Sequence, residues 1–156
     1  EIRLSLGGLG DVYKRQGIEG SGDLLALRGD ICFPIEVKSS KEAKLYLSGR
    51  TLEQYNSLVY EGNRSCLMPL YAYRLKGIRG DSWRIFRVGT KSLHGKLRKL
   101  APSIPSLPLT RNGKPHLNWE KGMELNEFIA LICSMPETSA GEFAALQSEP
   151  RHYLMT

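Results

Sequence analysis

Between Gly20 and Ser40 the sequence reads GSGDLLALRGDICFPIEVKSS, two apolar runs separated by Arg28-Gly29-Asp30. Runs of this length and composition, joined by a glycine-bearing turn, predict an antiparallel hairpin with strands Leu24–Leu27 and Ile31–Val37. Folding about Gly29 brings Asp23 across from Ile35 or Glu36. Strand side chains alternate, and residues opposite one another share a face. Phe33, Ile35 and Val37 make the apolar alternate set, so Glu36 and Lys38 fall on the other face, with Asp23 beside them. Charged residues at hairpin ends are ordinarily solvated, and an Asp followed after twelve residues by Glu-x-Lys is a short pattern. Here the strand has an apolar side, so the charges do not simply reflect exposure on both faces. Two carboxylates hold a hard cation through oxygen, and a lysine beside them orients a water or stabilises an oxyanion.

These residues resemble the PD-(D/E)xK nuclease signature, with Asp23 as its first acid and Glu36-Val37-Lys38 as the ExK. Downstream, YLSGRTLEQ, MPLYAYRL and RGDSWRIFRV resemble the archaeal-type Holliday junction resolvases of that superfamily. The resemblance runs from Gly17 to Val88 and departs once inside the motif, where Gly22 stands in place of the usual proline. It implies an α/β fold, a restriction-endonuclease-like mixed β-sheet core flanked by helices, followed by a small C-terminal helical tail. It implies catalytic roles for Asp23, Glu36 and Lys38, and a metal held by Asp23, Glu36 and the Val37 carbonyl. The metal would be Mg²⁺, with Mn²⁺ as a substitute, and the reaction hydrolysis of DNA phosphodiesters in recombination and repair. The implied partners are four-way DNA junctions and a second copy of the chain in a homodimer. Another restriction or repair nuclease of the superfamily, or a non-catalytic DNA-binding module derived from one, would carry similar residues.

At 156 residues the chain is long enough for one domain with a real core and an appendage. Apolar residues make up 41% and charged residues 24%, as in ordinary globular proteins, and the net charge of +6 suits a polyanionic partner. Cys32, Cys66 and Cys133 are odd in number and lack zinc-type spacing to one another or to His94, His116 and His152. That pattern fits reduced thiols in the cytoplasm. No apolar run approaches the ~20 residues of a membrane span, and no secretory signal is evident.

Residues 1–16, EIRLSLGGLGDVYKRQ, are expected to be non-native, because GGLGDVYKRQ resembles the conceptual translation of a sequencing adaptor. The resolvases resembled here begin with a helix bearing a further catalytic acid. Residues 1–16 have no helical apolar stripe, so the chain as it stands is expected to be an impaired enzyme. Residues 17–89 are expected to form the nuclease core. After the hairpin, Ser39, Lys41, Lys44 and Arg50 occupy a basic connector where a phosphate backbone would pass. A helix is expected over Thr51–Glu61, with Thr51 and Gln54 as a capping box, Leu52, Tyr55, Leu58 and Val59 on one face, and Gly62 as its stop. Leu67–Leu75 and Trp83–Val88 predict a second hairpin about Lys76–Asp81.

Residues 90–121 hold seven Lys/Arg against the single acid Glu120, with Pro102, Pro105, Pro108 and Pro115, and predict an extended basic linker. In residues 122–156, Leu125, Phe128, Ile129 and Ile132 predict an amphipathic helix over Glu124–Ser134, and Ser139 and Glu142 cap a second short helix with Phe143 and Leu146. On this division, residues 17–89 close a sheet without the tail.

Overall fold

The expected hairpin forms the centre of a seven-stranded mixed sheet in the computed structural model, which describes residues 3–5, 11–14, 22–29, 31–91 and 93–135. The strands are β1 (Arg3–Ser5), β2 (Asp11–Lys14), β3 (Leu24–Arg28), β4 (Ile31–Ser40), β5 (Lys44–Tyr46), β6 (Leu70–Leu75), β7 (Trp83–Arg87), β8 (His116–Asn118) and β9 (Met123–Glu124). The helices are α1 (Arg50–Ser65), α2 (Gly95–Leu100) and α3 (Leu125–Cys133). The main sheet runs β1-β2-β3-β4-β6-β7-β9, while β5 and β8 pair separately as a two-stranded ribbon. Within residues 1–16, β1 and β2 extend the edge of β3, from Asp11 opposite Leu27 to Lys14 opposite Leu24.

β3 and β4 pair antiparallel from Arg28–Ile31 to Leu24–Ile35. β4 outruns its partner and continues beside β6 in parallel, from Ile35–Leu70 to Ser40–Leu75. A parallel pair needs a crossover, and α1 supplies it. β6 turns back into β7 as the second expected hairpin.

Leu52, Tyr55, Leu58 and Val59 of α1 pack on one face of the sheet with Leu47, Tyr71, Tyr73 and Phe86, as their helical spacing predicts. Two local expectations give way. The Thr51–Gln54 capping box does not form: Gly49 is the N-cap, and the Thr51 hydroxyl donates to the Ser48 carbonyl at 2.8 Å. Gly62 does not stop the helix either, which continues to Ser65 and ends at Cys66 with φ 53°. A Cβ on Gly62 would lie 2.5 Å from Thr90 Cγ2 and 2.9 Å from Pro69 Cδ. Glycine there permits close approach of the helix to the strand ends.

The segment expected to be an extended linker is instead part of the packing. Leu100, Ala101 and Ile104, on α2 and the tight turn after it, are buried with Phe33, Ile35, Met68 and Leu70 on the face opposite α1. Arg87 Nε donates to the Ile104 carbonyl at 2.8 Å, while Leu107 and Leu117 enter the core on the α1 side. The prolines shape short turns between single buried apolar residues, and the lysines and arginines around them stay outside. The helix expected near Glu124–Ser134 is α3, and Phe128 and Ile132 are buried in the same cluster as Phe33. The Phe33 and Phe128 rings meet edge to face at 5.8 Å. The second short helix expected around Ser139–Leu146 lies outside the described residues. No described helix is long and apolar enough to cross a membrane.

Parts of residues 95–132 therefore cover β3, β4, β6 and β7 on the face opposite α1. Truncation after Gly89 is expected to prevent cooperative folding, seen as loss of a sigmoidal melt by circular dichroism. Phe128→Ala in the full chain should cost about 3–5 kcal/mol in urea unfolding, the range for emptying a buried aromatic site.

Candidate active site

The last β3–β4 pair is Leu24 with Ile35, so from Glu36 onward β4 has no partner on its β3 side among the described residues. The Val37 N–H on that open side donates to Asp23 Oδ2 at 2.9 Å. Asp23 is thereby fixed beside Glu36, as the hairpin geometry predicted. Just before it, Gly22 has φ +75°, and a Cβ there would stand 3.0 Å from the Ile35 carbonyl oxygen. Proline, locked near φ ≈ −65°, cannot take that conformation, which accounts for glycine at this position.

Glu36 and Lys38 lie on the α1 face of β4, beside Tyr71 and Tyr73 in the ladder with β6. Glu36 is only 6% exposed. Lys38 Nζ sits 3.3 Å from Glu36 Oε1 and donates to Gln54 Oε1 of α1 at 2.8 Å. The ammonium is thus tied to both elements that bracket it. Burial raises the Glu36 carboxyl above its usual range and the negative charge of Asp23 raises it further, with Lys38 opposing both. The neighbouring Tyr71 hydroxyl is buried with no hydrogen-bond partner among the described residues. Burial, and after it the charge of Glu36, raises the pKa of that phenol.

Two facing carboxylates, one made reluctant to ionise by burial and then by the other's charge, form a donor set that a hard divalent cation would relieve, so the residues present fit such an ion. Among the described residues no third Asp, Glu, His or Cys joins them.

Ser39, Lys41, Lys44 and Arg50 are all exposed, on the end of β4, the bend after it, β5 and the first residue of α1. They border the site along the chain without touching its charged groups. Gln54 and Tyr71 are the residues that sequence reasoning missed. Gln54 precedes the buried Leu58 by four positions, so a polar side chain on the helix's inward stripe was the available signal. Tyr71 had none, because its position beside Glu36 depends on the β4–β6 register.

Fold and site together define a mixed α/β architecture: a central β-sheet flanked by helices, with two acids and a lysine at the open edge of one strand. Among solved structures, the chain is similar to Archaeoglobus fulgidus Hjc, a Holliday junction resolvase from an archaeal hyperthermophile, with a TM-score of 0.51. The match has 24% sequence identity and covers 76% of this chain and 80% of that one, a likeness of fold. No protein-family profile and no curated protein matches the sequence.

Because folding raises the affinity of Glu36 for its proton, its contribution to stability is fully present below the ordinary value of 4.5 and is lost as pH rises through the raised one. Glu36→Gln removes that loss. Calorimetric scans in EDTA should show the variant gaining in melting temperature over the wild type between pH 5 and pH 8, by roughly 2–8 °C for ~1 kcal/mol, with no further change below pH ~4.

Proposed function

We propose that the chain is a Mg²⁺-dependent DNA endonuclease of the PD-(D/E)xK type, acting on branched DNA with four-way junctions as its substrate and working as a homodimer in the cytoplasm. The observation that carries this is the convergence of Asp23, Glu36 and Lys38 at the open edge of β4, in a fold like that of a Holliday junction resolvase. Asp23, Glu36 and the Val37 carbonyl would hold the cation, for which Mn²⁺ substitutes. When bound, such an ion neutralises charge on the phosphate and makes water a better nucleophile. Asp23 is kept in position by the Val37 N–H, so its second oxygen needs no search for a ligand position. Lys38, held between Glu36 and Gln54, offers its remaining proton to the attacking water or to the phosphoryl oxygen. Ser39, Lys41, Lys44 and Arg50 would contact phosphates, which position the DNA without reading its sequence. A two-fold dimer would present two such sites to symmetric strands of a junction.

The test compares a four-way junction, a flap and a linear duplex at matched salt, with Mg²⁺ for cleavage and Ca²⁺ for binding. Junction cleavage should persist in excess linear competitor. Asp23→Asn, Glu36→Gln and Lys38→Ala should each lower it by about 10²-fold or more while affinity in Ca²⁺ changes little. Equal cleavage of linear duplex would instead favour a restriction or repair nuclease. Binding indifferent to Mg²⁺ and to Asp23→Asn, without cleavage, would make the chain a DNA-binding module.

A further inference from the structure

Beside Lys44, the β5–β8 ribbon carries aromatic residues that the proposed chemistry leaves unused. Its register sets Lys44 opposite Asn118, Leu45 opposite Leu117 and Tyr46 opposite His116. Leu45 and Leu117 pack into the core beside Leu47, Tyr71 and Tyr73, so Lys44, Tyr46, His116 and Asn118 share the outward face. The Tyr46 ring stacks on the His116 ring at 5.3 Å with 26° between planes. His116 is buried beneath it, and its Nδ1 has no partner among the described residues, yet Tyr46 itself is 59% exposed. One face of the phenol is thus held by an imidazole and the other is open to solvent. Burial and the nearby Lys44 keep that imidazole inclined to neutrality, which suits a flat, uncharged support.

The ribbon is close to the site along the chain. It follows β4 through the bend 41–43 and precedes α1, the two elements whose Glu36, Lys38 and Gln54 meet. The Trp119 N–H donates to the Ala43 carbonyl at 2.8 Å, and the Tyr73 hydroxyl bonds the Glu42 carbonyl, so the bend is pinned at two points. Lys41 in the bend and Lys44 at the start of β5 are exposed, with Glu42 the one acid among residues 41–46.

We propose that Tyr46 is a stacking platform for an unpaired DNA base, with Lys44 pairing the phosphate of that nucleotide and Asn118 within the same face to bond the base edge. An open aromatic face beside a cation is the chemistry by which proteins hold single-stranded nucleic acid. A base inside a continuous duplex has both faces covered by its neighbours, so only a branch-point or single-stranded nucleotide fits. This rests on the nuclease assignment above and adds to it a physical source of preference for branched DNA.

The test places aminopurine at the branch point of a junction, in a single-stranded flap and within a linear duplex, and measures affinity and fluorescence in Ca²⁺ for wild type, Tyr46→Phe, Tyr46→Leu and Tyr46→Ala. Wild type and Tyr46→Phe should quench the branch-point and flap probes. Tyr46→Ala should bind those two DNAs about tenfold more weakly, without quenching, and bind the duplex unchanged. Tyr46→Leu keeps His116 covered but offers no π face, and should behave as Tyr46→Ala does, which separates stacking from folding. Unchanged quenching and affinity in Tyr46→Leu, or an equal loss on linear duplex, would overturn the platform while leaving the nuclease assignment standing. A wild type that binds none of the three DNAs would overturn both.

Discussion

The Leu24–Ile35 pair is the last that β3 makes with β4, and the geometry of the site descends from that early end. A ladder two residues longer would have consumed the Val37 N–H and turned Asp23 into an ordinary strand residue. Because the ladder stops, a main-chain donor stands beside an acid, and a buried or half-buried N–H seeks a partner. Asp23 supplies one through a charge-assisted bond. The acid's position follows from backbone pairing and owes little to its own rotamer freedom.

The second determinant is the height of α1 above the sheet. Gly62 lets the C-terminal part of that helix sit against Pro69 and Thr90, where any larger residue would push it outward. At its other end the same helix brings Gln54 to Lys38. Gly62 and Gln54, at two ends of one helix, are therefore mechanically linked, and through Gln54 so is Lys38 of β4. Burial does the rest: α1 covers one face of β4 while Phe128, Ile132 and Leu100 cover the other, and Glu36 is left with little water to stabilise its charge.

Much of this was legible in the sequence, for identifiable reasons. Period-two alternation around Phe33, Ile35 and Val37 fixed which face Glu36 and Lys38 take, and helical spacing placed Phe128 and Ile132 on one side of α3. Residues 90–121 misled because their lysines and prolines dominate the composition, while Leu100, Ile104 and Leu107 are isolated apolar residues that acquire meaning only against a sheet already present. Gln54 fitted a local capping pattern, and the nearby Lys38 outcompeted it. Gly62 showed the ambiguity of its residue type, since glycine ends helices and also permits close packing. The pairing of β5 with β8 left no trace in either segment alone.

That last pairing also bears on when the molecule becomes competent. At about 5–20 residues per second, synthesis delivers the hairpin with Asp23, Glu36 and Lys38 several seconds before β8 and α3. Until then β5 lacks its partner, Ala43 has no Trp119 to anchor it, and Phe33 has no Phe128 over it. The three charged side chains emerge early, but the scaffold that aims them arrives with the last described helix. A chain still attached to the ribosome thus carries the three charged side chains without their alignment, and translation itself sets the order in which the parts of the site come together.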